Sequence, residues 1–306
     1  MVAFDVLVTG NVSVDVIFPE IENVPQPGEE LYCDDFAFTC GASYNAAVAL
    51  ARLGMKVAIA APIGNDFLSH FILNKLESEG VNTEYMHRLD QPLRTLSVAL
   101  NYGGDRSFIS YEDSIHNFSF ESYVRSVIER VDAKVIHTEA RPEAVSIIEV
   151  AKRKAIKVSL DVGWNESWLQ DSQLKDIIRM GDFFTPNMKE AKVITKEDNT
   201  ERAVEELQRL NPENNIIVKV GSKGALIREE DKVILIPAEG KTPVDTTGAG
   251  DVFIAGVIAA ILKGFSFPEA IRIGNFCGAC SVEGLGGAEH SPTWDRVTRE
   301  LLENNK

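Results

Sequence analysis

The chain has 306 residues, and 31 Lys plus Arg against 46 Asp plus Glu leave a net charge of −15. Its length allows a large core without disulfides or metals, its 44% hydrophobic and 25% charged content argues against disorder, and its acidity argues against non-specific nucleic-acid binding. The expected partners are small molecules or other subunits, not nucleic acid or membrane.

The first residues, Val2–Thr9, read as a buried strand; with Asp5 and no basic segment before it, this stretch is not a signal peptide. Residues 12–39, with Pro19, Pro25, Pro27 and Gly28, read as strands and turns. A helix at 45–53 leads to a strand at 56–60. Residues 94–111 alternate as a hairpin turned by Gly103 and Gly104. Strands then follow at 133–137, 157–160, Phe183–Phe184 and 216–220, alternating with helices at 142–154, Thr200–Leu210, 249–263 and 268–283. Such alternation predicts an α/β fold with a parallel sheet covered on both faces. The segments at about 12–39 and 94–117 break that rhythm and read as insertions that meet to form a small β-strand lid.

No apolar run approaches the roughly 20 residues needed to span a bilayer; the longest, 252–262, is much shorter. Cys33, Cys40, Cys277 and Cys280 are too few for a disulfide scaffold. Cys277 and Cys280 form a CxxC without a second half, and read as two buried side chains on one helix face. A cytoplasmic enzyme is expected.

The most informative stretch is Asp245-Thr246-Thr247-Gly248-Ala249-Gly250-Asp251, which runs into an apolar helix. Glycines before a helix let successive N–H groups converge at its positive end, a site for an anion. A carboxylate at a helix start is often only a cap. At an anion site it makes sense if it does chemistry: phosphoryl transfer needs a cradle for the moving group and a base beside the attacking hydroxyl. GxxxxGK[ST] is absent, and a dinucleotide fingerprint lacks its third glycine.

With Phe253, that stretch resembles the C-terminal signature of the ribokinase family, also called the phosphofructokinase-B (PfkB) family of carbohydrate kinases. Cys40-Gly41-Ala42-Ser43-Tyr44-Asn45 through Gly54, then Ile63-Gly64-Asn65-Asp66, resembles its N-terminal signature, and Asn187-Met188-Lys189-Glu190 its NxxE motif. The resemblance spans nearly the whole chain and implies a single ribokinase-like domain over 1–306, a three-layer αβα sandwich with a mostly parallel central sheet. It implies that Asp251 is the base, that Gly248, Ala249 and Gly250 form the anion hole, and that Asn187 and Glu190 hold Mg²⁺ through water. It places Lys219, Gly221, Ser222, Gly224 and Asn275 at ATP, and Asp15, Gly41 and Asn45 at the acceptor's hydroxyls. A carboxylate and an amide suit paired hydroxyls, since one only accepts and the other also donates; Asn45 also reads as a helix N-cap. Asp245 and Thr247 are implied at a site for K⁺, although Glu283, Leu285 and His290 depart from the pattern there. A homodimer through the lid is implied as well.

Cys40 stands where the family usually has glycine, Tyr44 adds bulk beside Asn45, and Asp161 through Trp168 lacks the arginine of fructokinase-like members. These departures leave the acceptor open. A phosphorylated acceptor would need a second anion site, for which Arg94, Arg106 and Arg141 are the nearby cations; an unphosphorylated one is expected. The expected activity is ATP-dependent phosphorylation of a small carbohydrate at a hydroxyl, expected to be primary. The alternatives are a nucleoside kinase, a non-catalytic sugar or nucleotide sensor on the same fold, and a dinucleotide-dependent oxidoreductase.

Overall fold

The computed structural model describes residues 2–19, 21–102, 105–238 and 240–303. Among them, eight strands form the central sheet, in the order Lys232–Pro237, Gly224–Glu229, Asn215–Lys219, Phe183–Phe184, Lys157–Asp161, Val131–Glu139, Val2–Thr9, Val57–Ala60. The six strands from Asn215–Lys219 to Val57–Ala60 pair in parallel, with Val6 opposite both Val57 and Val135. Parallel strands are covered on both faces, which is why Val6, Leu7 and Val8 are all fully buried. Val6 and Val8 join a core with Leu50, Ile254 and Ile258, while Leu7 joins one on the other face with Ile136, Ile148 and Leu207. The three-layer αβα sandwich is therefore as expected.

Helix Ala249–Leu262 is apolar all round, and a helix of that kind belongs in a core; Val252 through Ala260 are buried. It packs between Ser43–Arg52 and Phe267–Ser281. A Cβ on Gly256 would lie 3.0 Å from the Gly274 Cα and 2.9 Å from the Cys277 Sγ, so two glycines bring the helices close. Cys277 and Cys280 are buried and free, with burial pushing both thiols up.

A second sheet runs Ala37–Ala42, Val12–Phe18, Thr95–Tyr102, Asp105–Glu112. Its central pair is parallel and its outer pairs antiparallel, with Asp15 opposite Thr39 and Ser97. The two segments outside the α/β rhythm thus meet. Residues 19 and 21–36 carry no helix or strand, and the glycine pair expected at the hairpin turn lies outside the described residues. Phe108, Ile109 and Tyr111 lie exposed on this sheet.

Several elements were not anticipated. Gly224–Glu229 and Lys232–Pro237 form an antiparallel hairpin at the sheet edge. Helices Phe67–Ser78, Phe120–Arg130 and Ser172–Met180 are capped by Asp66, Ser119 and Asp171, whose side chains accept from backbone amides of the first turn.

Candidate active site

The site lies where the central strands end and helix Ala249–Leu262 begins. Gly248 takes a left-handed conformation (φ +69°) that glycine adopts without penalty. No side chain among the described residues caps that helix; the Ala249 amide makes only a long bond to the Thr246 carbonyl, at 3.4 Å, and the start of a helix left without a side-chain cap is a place that attracts an anion. The loop is closely wrapped: a Cβ on Gly248 would lie 2.6 Å from the Gly287 Cα and 2.9 Å from the Asn45 Nδ2, and one on Gly250 3.1 Å from the Lys219 Nζ.

Asp251 sits in the first turn, and its Oδ2 accepts from the Asn45 Nδ2 at 3.0 Å. Burial pushes its carboxyl up to about 6, and Asp161 and Asp15 act in the same direction; Asn45 and Lys219 oppose them. Asn45 is not the helix N-cap. The cap is Ala42, with φ 56° and no side-chain bond, and Asn45 lies inside the first turn of Ser43–Arg52 with its amide directed at Asp251. The Asn45 Oδ1 is buried without a partner among the described residues. A Cβ on Gly287 would reach within 2.4 Å of it.

Asp15 is buried on the small sheet, and burial, with Asp245 adding, pushes its carboxyl up to about 6; the Ser13 hydroxyl donates to its Oδ1 at 3.1 Å. Gly41 faces it from the neighbouring strand, where a Cβ would fall 2.1 Å from the Asp15 Oδ2. Asp15, Gly41, Asn45 and Asp251 therefore come together in one cleft. Tyr44 does not enter this cleft: it is fully buried in the core, its hydroxyl unpaired among the described residues.

Asn187 and Glu190 form a reciprocal capping box. Glu190 N donates to the Asn187 Oδ1 at 3.0 Å, and the backbone N and Nδ2 of Asn187 donate to the two Glu190 oxygens at 2.7 and 2.6 Å. Burial pushes Glu190 up to about 7. About two of the roughly four acceptor positions of its carboxylate stay open, which suits holding a water better than direct metal ligation. Among the described residues, no group of three or more His, Cys, Asp or Glu side chains could hold a metal ion. Mg²⁺ thus fits only through water and phosphate oxygens.

The turn after Asn215–Lys219 takes φ +62° at Gly221 and +113° at Gly224, where a Cβ would meet the Ile236 carbonyl at 2.1 Å. Ser222 is exposed beside it. Asn275 is buried; its Nδ2 donates to the Ile236 and Pro237 carbonyls at 2.8 and 3.2 Å, tying helix to edge strand. It also lines a cleft of about 330 Å³ with Pro237, Arg272 and Phe276. Asp245 is buried and accepts from Thr247 N and Oγ1 at 3.0 and 2.8 Å and from Gly286 N at 3.1 Å.

A cavity of about 210 Å³ opens beside Gly10, Asn11, Thr138, Glu139, Arg141 and Glu143. The arginines weighed as an anion site are engaged: Arg141 pairs with Glu139 at 2.7 Å, and Arg94 with both oxygens of Asp113 at 2.8 and 2.9 Å. The Arg106 side chain lies outside the described residues. In the segment compared with fructokinases, Asn165 caps a short helix and the Trp168 indole donates to the Ala140 carbonyl at 2.7 Å.

Sequence reasoning missed Asp161, Glu139 and Gly287. Asp161 and Glu139 end adjacent parallel strands, the crevice where open α/β sheets bind ligands, so an acid closing a strand was the available signal. Gly287 offered none.

A glycine-opened helix carrying a partly buried carboxylate at its tip, beneath a second sheet with a buried one, has the construction of a phosphotransferase site. A family model described as "pfkB family carbohydrate kinase" matches residues 3–294, and the chain belongs to that family. It is 27% identical to the ribokinase of Haemophilus influenzae over 97% of this chain and 98% of that one. It is 29% identical to the deoxyribokinase of Salmonella typhi over 98% and 99%. An Escherichia coli protein described as ribokinase II, solved with ATP and Mg²⁺, superposes with a TM-score of 0.79 at 20% identity, over 98% of this chain and 99% of that one. The family, the fold and the carbohydrate-kinase assignment therefore agree with the sequence reading.

Proposed function

We propose that this protein transfers the γ-phosphoryl group of ATP to a primary hydroxyl of a small, unphosphorylated carbohydrate. The observation that carries the reading is Asp251, a carboxylate held up to about 6 by burial, beside a helix tip free of side-chain caps. A base with a value near the working pH is efficient at taking a proton as the oxygen becomes nucleophilic.

The acceptor binds between Asp15 on the small sheet and Asn45 on the body, where the unpaired Asn45 Oδ1 accepts from an acceptor hydroxyl. A second hydroxyl oxygen attacks the γ-phosphorus in line, and its proton passes to Asp251. The bond from that phosphorus to the β–γ bridging oxygen breaks, and the electron pair leaves with ADP. The amides of residues 248–250 stabilise charge on the transferring group, an arrangement worth most where water is excluded. The small sheet acts as a lid that excludes water during the reaction.

The turn from Lys219 through Gly221 and Ser222 to Gly224, with Asn275, borders the nucleotide. Glu190 and Asn187 would hold Mg²⁺ through water, and the ion would supply charge neutralisation to the nucleotide's phosphates; a relative solved with ATP and Mg²⁺ supports the use of that ion and nucleotide. K⁺ at Asp245 and Thr247 is the finer part of the reading, checked by comparing turnover in potassium and in tetramethylammonium buffers. The protein acts in the cytoplasm as a homodimer joined through the lid.

The test is a screen with ATP and Mg²⁺ over pentoses, hexoses, polyols, sugar acids, sugar phosphates and nucleosides, with the product identified by mass. Phosphorylation of a neutral sugar supports the reading. Turnover confined to nucleosides, or to sugar phosphates, would overturn the acceptor assignment, and no transfer at all would leave the sensor alternative.

A further inference from the structure

Lys219 closes strand Asn215–Lys219, and Asp161 closes Lys157–Asp161; the two are separated in the sheet by Phe183–Phe184. That middle strand is only two residues long, so the lysine side chain spans its end. Its Nζ reaches the two Asp161 oxygens at 3.3 and 3.2 Å. It also lies against the glycine loop, 3.1 Å from where a Gly250 Cβ would stand.

The ammonium lies in the field of three carboxylates, Asp161, Glu190 and Asp251. Of the charged groups that act on Asp251, two are acids, Asp161 and Asp15, and the cation is Lys219. A γ-phosphoryl group arriving at the loop brings further negative charge to this acidic site. The backbone amides offer partial charges, and Lys219 offers a whole one.

The geometry of the ion pair is also informative. Ammonium–carboxylate bonds that are well made run to about 2.7–2.9 Å, whereas those to Asp161 are longer and shared between two oxygens. The pair is partly buried, with the two side chains 16% and 18% exposed, and ion pairs at the surface or inside contribute little net stability, so stability alone gives no reason to set this one against the loop.

On the kinase reading above, we infer that Lys219 is a catalytic residue that contacts the transferring phosphoryl group, and that Asp161 is a positioning residue that aims its ammonium across the recessed strand. Asp161 keeps the side chain in place before ATP enters. The ammonium then meets the equatorial oxygens as their charge develops.

The test compares wild type, Lys219→Met, Lys219→Arg and the double variant Lys219→Met/Asp161→Asn in the full chain. It uses the acceptor that wild type phosphorylates fastest in the screen. The double variant removes both charges together, so it separates loss of catalysis from the penalty of an unpaired, partly buried carboxylate.

Removing one preorganised donor to a developing charge costs about 10²–10³ in kcat. That loss is expected for Lys219→Met, with both KM values within a few-fold of wild type and partial recovery in Lys219→Arg. The double variant should match wild type in melting temperature while staying as slow as Lys219→Met. Binding of ADP with aluminium fluoride, a mimic of the transferring group, should weaken in both Met variants while binding of ADP alone persists. Wild-type turnover in the double variant, or turnover within threefold of wild type in Lys219→Met, overturns the inference and leaves the kinase reading standing. A wild type that phosphorylates nothing removes the reading and this inference with it.

Discussion

Asp251 takes its chemistry from where the chain buries it. Its carboxyl is raised from the ordinary 3.8 to about 6, so the group is ionised at neutral pH and protonated in mild acid, as the proposed base must be. kcat/KM should fall roughly tenfold per unit below about pH 6; a profile flat down to pH 5 would exclude Asp251 as the base. The stability effect has the opposite sense. Folded chains bind this proton near pH 6 and unfolded ones near pH 4, so ionising Asp251 destabilises the fold above about pH 6, and that cost fades as pH falls from 6 to 4. Asp251→Asn should therefore stabilise the protein by on the order of 1–3 kcal/mol at pH 8, with the gain gone near pH 4, as melting curves would read. A different steric argument applies to Gly41. A methyl there would stand 2.1 Å from the Asp15 Oδ2, so Gly41→Ala should raise acceptor KM at least tenfold while leaving ATP affinity within twofold. Equal losses for both substrates would mean a general disturbance of the fold. Asp251 and the loop glycines were legible because special backbone and charge were written together at one helix start. Asp161 and Gly287 were not, because their significance is the company they keep: a lysine two strands away, and an amide more than two hundred residues earlier.

Helix Met188–Thr195 opens on a motif that supports two readings. The NxxE spacing that implied a metal-bound water is also a capping box, and both oxygens of the buried Glu190 are answered by Asn187. Losing an N-cap costs about 0.5–2 kcal/mol, and Asn187→Ala also removes a donor to a buried carboxylate. Its loss should fall at the upper end of that range in denaturant titrations, accompanied by a higher Mg²⁺ requirement for turnover. A change in stability alone would leave the motif a purely structural cap. Elements with strong periodicity were read closely: Thr200–Leu210 and Phe183–Phe184 were anticipated with the bounds observed. The edge hairpin escaped because Gly224–Glu229 and Lys232–Pro237 are joined through Glu230 at φ 52°, not through a glycine turn that announces itself. Asn45 was misjudged as a cap for a related reason. The strand runs almost into the helix through Ala42, whose φ of 56° no alanine advertises.

Across the molecule, the fold gathers acids from both sheets around one cleft: Asp15 from the small sheet, Asp161 from the central one, and Asp251 from a helix between layers. Burial is the larger cause of the raised Asp251 value, and repulsion from Asp161 and Asp15 adds to it. The small sheet also presents Ile109 and Tyr111 to solvent on one face, a face suited to pairing with a second copy. Sedimentation equilibrium should return a dimer, and Ile109→Asp, at a position 67% exposed, should return a monomer that keeps its melting temperature within a few degrees. A monomeric wild type would remove the lid interface. The central claim, that one partly buried carboxylate at a helix tip drives phosphoryl transfer, is tested most directly by single-turnover transfer from γ-labelled ATP to the neutral sugar that the screen identifies, in wild type and Asp251→Asn. The account predicts a rate at least 10²-fold lower in the variant with ATP still bound; equal rates in the two proteins would contradict it.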